Sequence, residues 1–60
     1  MKYILKSNTD LYIAECCPED GMIHLVSDYK KAAVFFKVDA DLIKGYAEDK
    51  VGCKFSILDV

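Results

Sequence analysis

Residues 2–26 read KYILKSNTDLYIAECCPEDGMIHLV, and this stretch decides the fold class. Lys2–Lys6 is short, apolar and β-prone. Ser7-Asn8-Thr9-Asp10 is a run of turn formers. Leu11–Cys17 reads as a second strand, and Pro18-Glu19-Asp20-Gly21 as the next turn, because a proline stops ladder pairing. Met22–Val26 reads as a third strand. Three strands joined by two tight turns make an antiparallel meander.

Downstream the period changes. Tyr29, Ala32, Ala33 and Phe36 recur at helical spacing behind a cap at Ser27, which predicts a short helix ending near the β-prone Phe35–Val38. A longer helix follows. Leu42, Ile43, Tyr46, Ala47 and Lys50 are expected on one face, with Asp39 or Asp41 as cap and Gly52 as a left-handed stop. Gly45 is expected to let this helix approach the sheet closely. Cys53–Ile57 alternates as a last strand with one buried face. The expected fold is therefore α+β and a single domain over residues 1–60. Both helices lie on one face, and the last strand runs parallel to the first in the order 4-1-2-3, with placement beside the third strand as the alternative.

Register sharpens the expectation. With Lys6 opposite Leu11 and Cys17 opposite Met22, one face carries Met1, Tyr3, Leu5, Tyr12, Ala14, Cys16, Ile23 and Leu25, and this is the face expected beneath the helices. The other face carries Lys2, Ile4, Lys6, Leu11, Ile13, Glu15, Cys17, Met22, His24 and Val26. There Glu15 faces His24, and Ile4, Ile13, Val26 and Leu58 form an apolar band. A one-residue slip in either hairpin would exchange the faces.

Composition limits the function classes. Eight Lys without Arg against ten acidic residues give a net charge of −2, which is not the basic footprint of a nucleic-acid binder. No run reaches the roughly 18 apolar residues of a membrane span, and the first residues lack an export-type apolar core. Three Cys, an odd count, read as free thiols in a reducing, cytoplasmic setting. Hydrophobic residues form 53% of the chain, enough to leave apolar surface for a partner beyond a small core.

Candidate chemistry is sparse. Cys16, Cys17, His24 and Cys53 are the soft metal ligands, but adjacent strand residues point to opposite faces, so Cys16 and Cys17 diverge. Cys17, His24 and Glu15 share a face without an enclosing pocket, and a cross-strand Glu15–His24 pair accounts for them. Lys30, Lys31 and Lys37 form a small basic cluster, and Tyr12, Tyr29, Tyr46 and Phe55 can stack on bases, but the tyrosines fall at expected core positions. No catalytic residue, metal ligand or cofactor site is expected.

Met1–Lys6, the run Asp28-Tyr29-Lys30-Lys31-Ala32-Ala33-Val34-Phe35 and the acidic-start helix after it resemble small uncharacterised proteins of phages and prophages of low-GC Gram-positive bacteria. The resemblance implies an accessory role exercised by binding a host protein. The expectation is thus a non-enzymatic interaction domain, binding a protein partner or itself as a homodimer. Its interaction face is Ile4, Leu11, Ile13, Val26 and Leu58 with Glu15 and His24. Single-stranded nucleic-acid binding is the alternative, and a thiol or metal site ranks behind it.

Overall fold

The first turn sets the geometry of everything after it. In a computed structural model describing all 60 residues, β1 (Lys2–Ser7) and β2 (Tyr12–Cys17) are joined by the three residues Asn8–Asp10. Ser7 and Leu11 face each other: Ser7 N–H donates to the Leu11 carbonyl at 2.7 Å, and Leu11 N–H donates to Ser7 Oγ at 3.0 Å. Asp10 N–H donates to the Ser7 carbonyl at 3.2 Å, and Asp10 itself sits at φ 63°. A turn closed by a left-handed residue is the common solution for a three-residue hairpin loop, and Asp tolerates that conformation. Ser7 Oγ also accepts from Thr9 N–H at 3.2 Å, and this serine is 3% exposed.

The loop is one residue shorter than the sequence suggested, so Lys6 faces Tyr12, not Leu11. The slip sends Ile13 into the core, fully buried, and turns Tyr12 to the other face. It is then undone. A β-bulge between Ile13 and Glu15 absorbs one residue, so Glu15 faces His24 and Cys17 faces Met22 of β3 (Met22–Val26), as expected. The bulge restores parity, which keeps Cys16, Ile23 and Leu25 on the core side.

After Val26 the expected short helix is a single 3₁₀ turn, Tyr29–Lys31, capped by Asp28 rather than Ser27, with Lys30 N–H donating to Asp28 Oδ1 at 3.0 Å. The β-branched and aromatic run behind it forms a two-residue strand, β4 (Phe35–Phe36), paired antiparallel to β1. One helix follows, α1 (Lys37–Val51), and then β5 (Phe55–Asp59). The helix starts too early for Asp39 or Asp41 to cap it: Asp39 lies in the first turn, and Asp41 pairs with Lys37 at 3.2 Å. Gly52 ends it at φ 85°, its N–H donating to the Glu48 carbonyl.

β5 lies beside β1 but antiparallel to it, so the expected parallel last strand is overturned. The cause is β4. This strand already runs opposite to β1, and a helix returns the chain for another strand in the same direction as the one before it. Strand order differs from the expected four-stranded sheet accordingly. Lys6 faces both Tyr12 and Ser56, and Tyr3 faces both Phe35 and Asp59, so β5 takes one edge of β1 while β2 and β4 divide the other. Beyond the ladders, Ala33 N–H donates to the Ile13 carbonyl at 2.9 Å and ties the β3–β4 connection to β2.

The core forms between the sheet and α1. Leu5, Ile13, Ala47 and Phe55 are its centre, with Cys16, Ile23, Leu25, Phe35, Ile43, Cys53 and Ile57 packed around them. The helix face differs from the expected one. Ala40, Ile43 and Ala47 face the sheet, whereas Leu42 is 70% exposed. Gly45 does not approach the sheet, since a Cβ placed there meets nothing within 4 Å. Only seven of 60 residues are buried, so small changes in this core and its turns weigh heavily.

Two substitutions test this account by urea unfolding followed by circular dichroism. Gly45→Ala, in open space on a helix, is expected to stabilise by about 0.5–1 kcal/mol. Ser7→Ala, which leaves the N–H groups of Thr9 and Leu11 without their side-chain acceptor, is expected to cost about 1–3 kcal/mol.

Candidate functional site

Sheet pairing assigns each strand residue to a side. Tyr3, Leu5, Ser7, Phe55 and Ile57 share the side covered by α1, and Lys2, Ile4, Lys6, Tyr12, Val26 and Leu58 share the other. No helix covers that second, outer side. The chain leaving the 3₁₀ turn instead lies along part of it and leaves a groove of about 570 Å³. Ile4 and Leu58, cross-strand neighbours on β1 and β5, line it together with Val60. Tyr12, Tyr29, Ala32 and Val34 line the side belonging to β2 and the connection. Lys30 and Asp59 are its charged residues.

The groove is built by the register. Tyr12 reaches the outer face because the first loop is short, and there its ring meets Tyr29 with centroids 6.3 Å apart and planes at 54°. A tilted pair at this separation is a favourable aromatic contact. It holds the 3₁₀ turn against the sheet, and Asp28 caps the start of that turn. Several lining side chains stay open to solvent: Tyr29 is 60% exposed, Val34 48% and Leu58 37%.

The residues singled out from the sequence are scattered by this arrangement. Ile4 is nearly buried in the groove beside Leu58, and Val26 faces Tyr12 on the outer side. Ile13 belongs to the core, and Leu11 to the end of the first turn, half-buried; neither joins the outer surface. Glu15 and His24 face each other on the outer side past the bulge, both exposed. Sequence reasoning missed Val34 and Val60, and it assigned Tyr12 and Tyr29 to core positions, whereas both line the groove. For Tyr12 the signal was present in Ser7 and Asp10, a serine able to accept from the turn and a residue that tolerates positive φ.

The three cysteines are free and half-buried. Cys16 points to the core and Cys17 to the outer face, where its thiol lies 3.4 Å from Asp20 Oδ2. Burial, with the neighbouring Cys17 second, raises the Cys16 pKa, which keeps this thiol protonated and a poor nucleophile. No three His, Cys, Asp or Glu side chains gather in a way that could hold a metal ion.

A second hollow, about 350 Å³, lies among Asn8, Glu48, Gly52, Cys53 and Lys54. Its central group has a structural task. Glu48 Oε2 accepts from Phe55 N–H at 2.9 Å and from Lys44 Nζ at 3.2 Å, tying α1 to the start of β5. The Phe55 hydrogen bond first, then Lys44, holds the Glu48 pKa below the ordinary glutamate value. A lowered folded-state pKa stabilises at neutral pH, and that contribution is lost as pH falls through the folded value. Thermal melts across an acid series are expected to show the wild type losing stability below pH 4.5. In Glu48→Gln, which keeps an acceptor but not the charge, this part of the slope disappears.

No helix is long and apolar enough to cross a membrane. Comparison with protein-family models, curated proteins and solved structures finds no match for this chain.

Proposed function

We propose that this chain is a non-enzymatic protein-binding module that receives an apolar segment of its partner in the groove on the outer sheet face. The observation that carries this reading is the groove itself: a concavity of about 570 Å³ in which seven of nine lining residues are hydrophobic. Binding pockets combine such an apolar lining with a few polar groups that orient the occupant. Here Lys30 is the charged side chain at the lining, and Tyr12 and Tyr29 are the lining residues that carry a hydroxyl. Tyrosine suits the role, because it offers a large apolar face and a polar tip. The resemblance to phage and prophage proteins adds a host protein as the kind of partner.

One observation favours a second reading. Tyr12 and Tyr29 lie together on the outer face beside Lys30, with Lys31 next in the chain. Aromatic rings beside cations are how single-stranded nucleic acid is held without sequence preference. Against it stand the net charge of −2 and the tilt of the two rings, which offers no continuous stacking platform.

A random peptide library panned on the wild-type protein separates the readings. Enrichment of peptides with apolar side chains is expected, lost on Val34→Glu and on Tyr29→Ala while the far-ultraviolet spectrum is unchanged. Absence of any enriched motif, or binding indifferent to both substitutions, would reject the groove as a protein site. The nucleic-acid reading requires salt-dependent binding of a labelled oligothymidylate in low salt, weakened by Lys30→Glu; a flat anisotropy titration removes it.

A further inference from the structure

Among the exposed apolar residues of this chain are two surfaces on opposite sides of the sheet. One is the groove. The other is the solvent side of α1, where Val38 and Leu42 are 67% and 70% exposed. At 3.6 residues per turn these two fall opposite the buried Ala40 and Ala47, one turn apart, and Gly45 continues their stripe. A lone exposed leucine needs no explanation. An apolar stripe with its own complementary concavity elsewhere in the same chain is a different matter.

The charges of the two surfaces are also opposite. Asp39 and Asp41 flank the stripe, and Asp49 lies in line with it. Asp41 is paired with Lys37, but Asp39 and Asp49 enter none of the three ion pairs. At the groove stand Lys30 and, next in the chain, Lys31, while Lys2 shares the outer face; none of these is paired. Asp59 also borders the groove, but its register opposite Tyr3 assigns its side chain to the helix side.

We propose that α1 of one copy docks its Val38–Leu42 stripe in the outer groove of a second copy, with Asp39 and Asp49 toward Lys30 and Lys31 of that copy. This rests on the protein-binding reading of the groove and names its occupant. A convex apolar ridge with acidic flanks meets a concave apolar groove with basic neighbours. Because ridge and groove lie on opposite sides of the sheet, two copies cannot satisfy both contacts at once. The contact is therefore head to tail, and it extends into a ring or a filament. Two side chains in a groove make a small interface, so association is weak and transient, and salt weakens it further.

Sedimentation equilibrium up to millimolar concentration tests this, with circular dichroism melts to establish that each variant is folded. The wild type is expected to exceed twice its monomer mass of 6.8 kDa as concentration rises, and to fall back in high salt. Leu42→Glu, which spoils the ridge, and Val34→Glu, which spoils the groove, are each expected to remain monomeric. Mixed in equal amounts they are expected to form a dimer that grows no further, since one ridge and one groove remain intact. Tyr29→Glu replaces Val34→Glu if the latter unfolds. A wild type that stays monomeric, a single variant that assembles like the wild type, or a mixture that stays monomeric overturns the proposal. If the wild type is monomeric while selected peptides still bind the groove, the second copy is excluded as occupant and the protein-binding reading stands. Assembly abolished by Leu42→Glu but indifferent to both groove variants overturns the groove as the docking site for the ridge.

Discussion

The structure depends on one hydrogen-bonded turn. Ser7 pairs with Leu11 through its backbone, and its hydroxyl accepts from the N–H groups of Thr9 and Leu11. That arrangement leaves three residues in the loop and puts Tyr12 opposite Lys6. Every residue of a strand changes side when register moves by one, so this choice places Ile13 in the core and Tyr12 outside. The bulge at Ala14 is the necessary complement. Without it Glu15 would turn inward and Cys16 outward, and β3 would have to carry its apolar residues on the wrong side.

A second constraint comes from a very short element. β4 has two residues, yet it reverses the chain relative to β1 before α1 begins. The helix then joins two strands that run in one direction on opposite edges of β1, and β1 becomes the centre of the sheet. Glu48 secures the far end of this unit by accepting from Phe55 N–H, and Gly52 provides the left-handed exit that brings β5 into place. The core enclosed this way is thin. Small alanines at positions 40 and 47 let α1 lie close to the sheet, but they contribute little apolar area.

That economy bears on function. A chain rich in apolar residues that buries few of them leaves many on its surface, among them those of the outer groove and of the solvent side of α1. The thiols are divided too: Cys16 faces the core with a raised pKa, and Cys17 faces solvent beside Asp20. Recognition through apolar contact, oriented by a few lysines and aspartates, is what these surfaces are chemically suited to.

The sequence by itself determined the α+β class, the three-stranded meander, the second turn with its Cys17–Met22 pairing, the Glu15–His24 pair and the left-handed stop at Gly52. These depend on local preferences: turn-forming residues, strand alternation and the conformational freedom of glycine. Only the tertiary structure decided the rest. Loop length in the first hairpin followed from hydrogen bonds that Ser7 makes once the strands meet, and a one-residue difference is invisible to alternation alone. The rotation of α1 was set by the fit of Ala40 and Ala47 against the sheet, not by where its largest apolar residues stand. The direction of β5 hung on β4, whose two residues are too few to carry a period. The candidate site inherits this division: Ile4 and Leu58 were legible as outer-face residues. Tyr12, Tyr29 and Val34 joined them because register and the path of the β3–β4 connection, both long-range outcomes, brought them there.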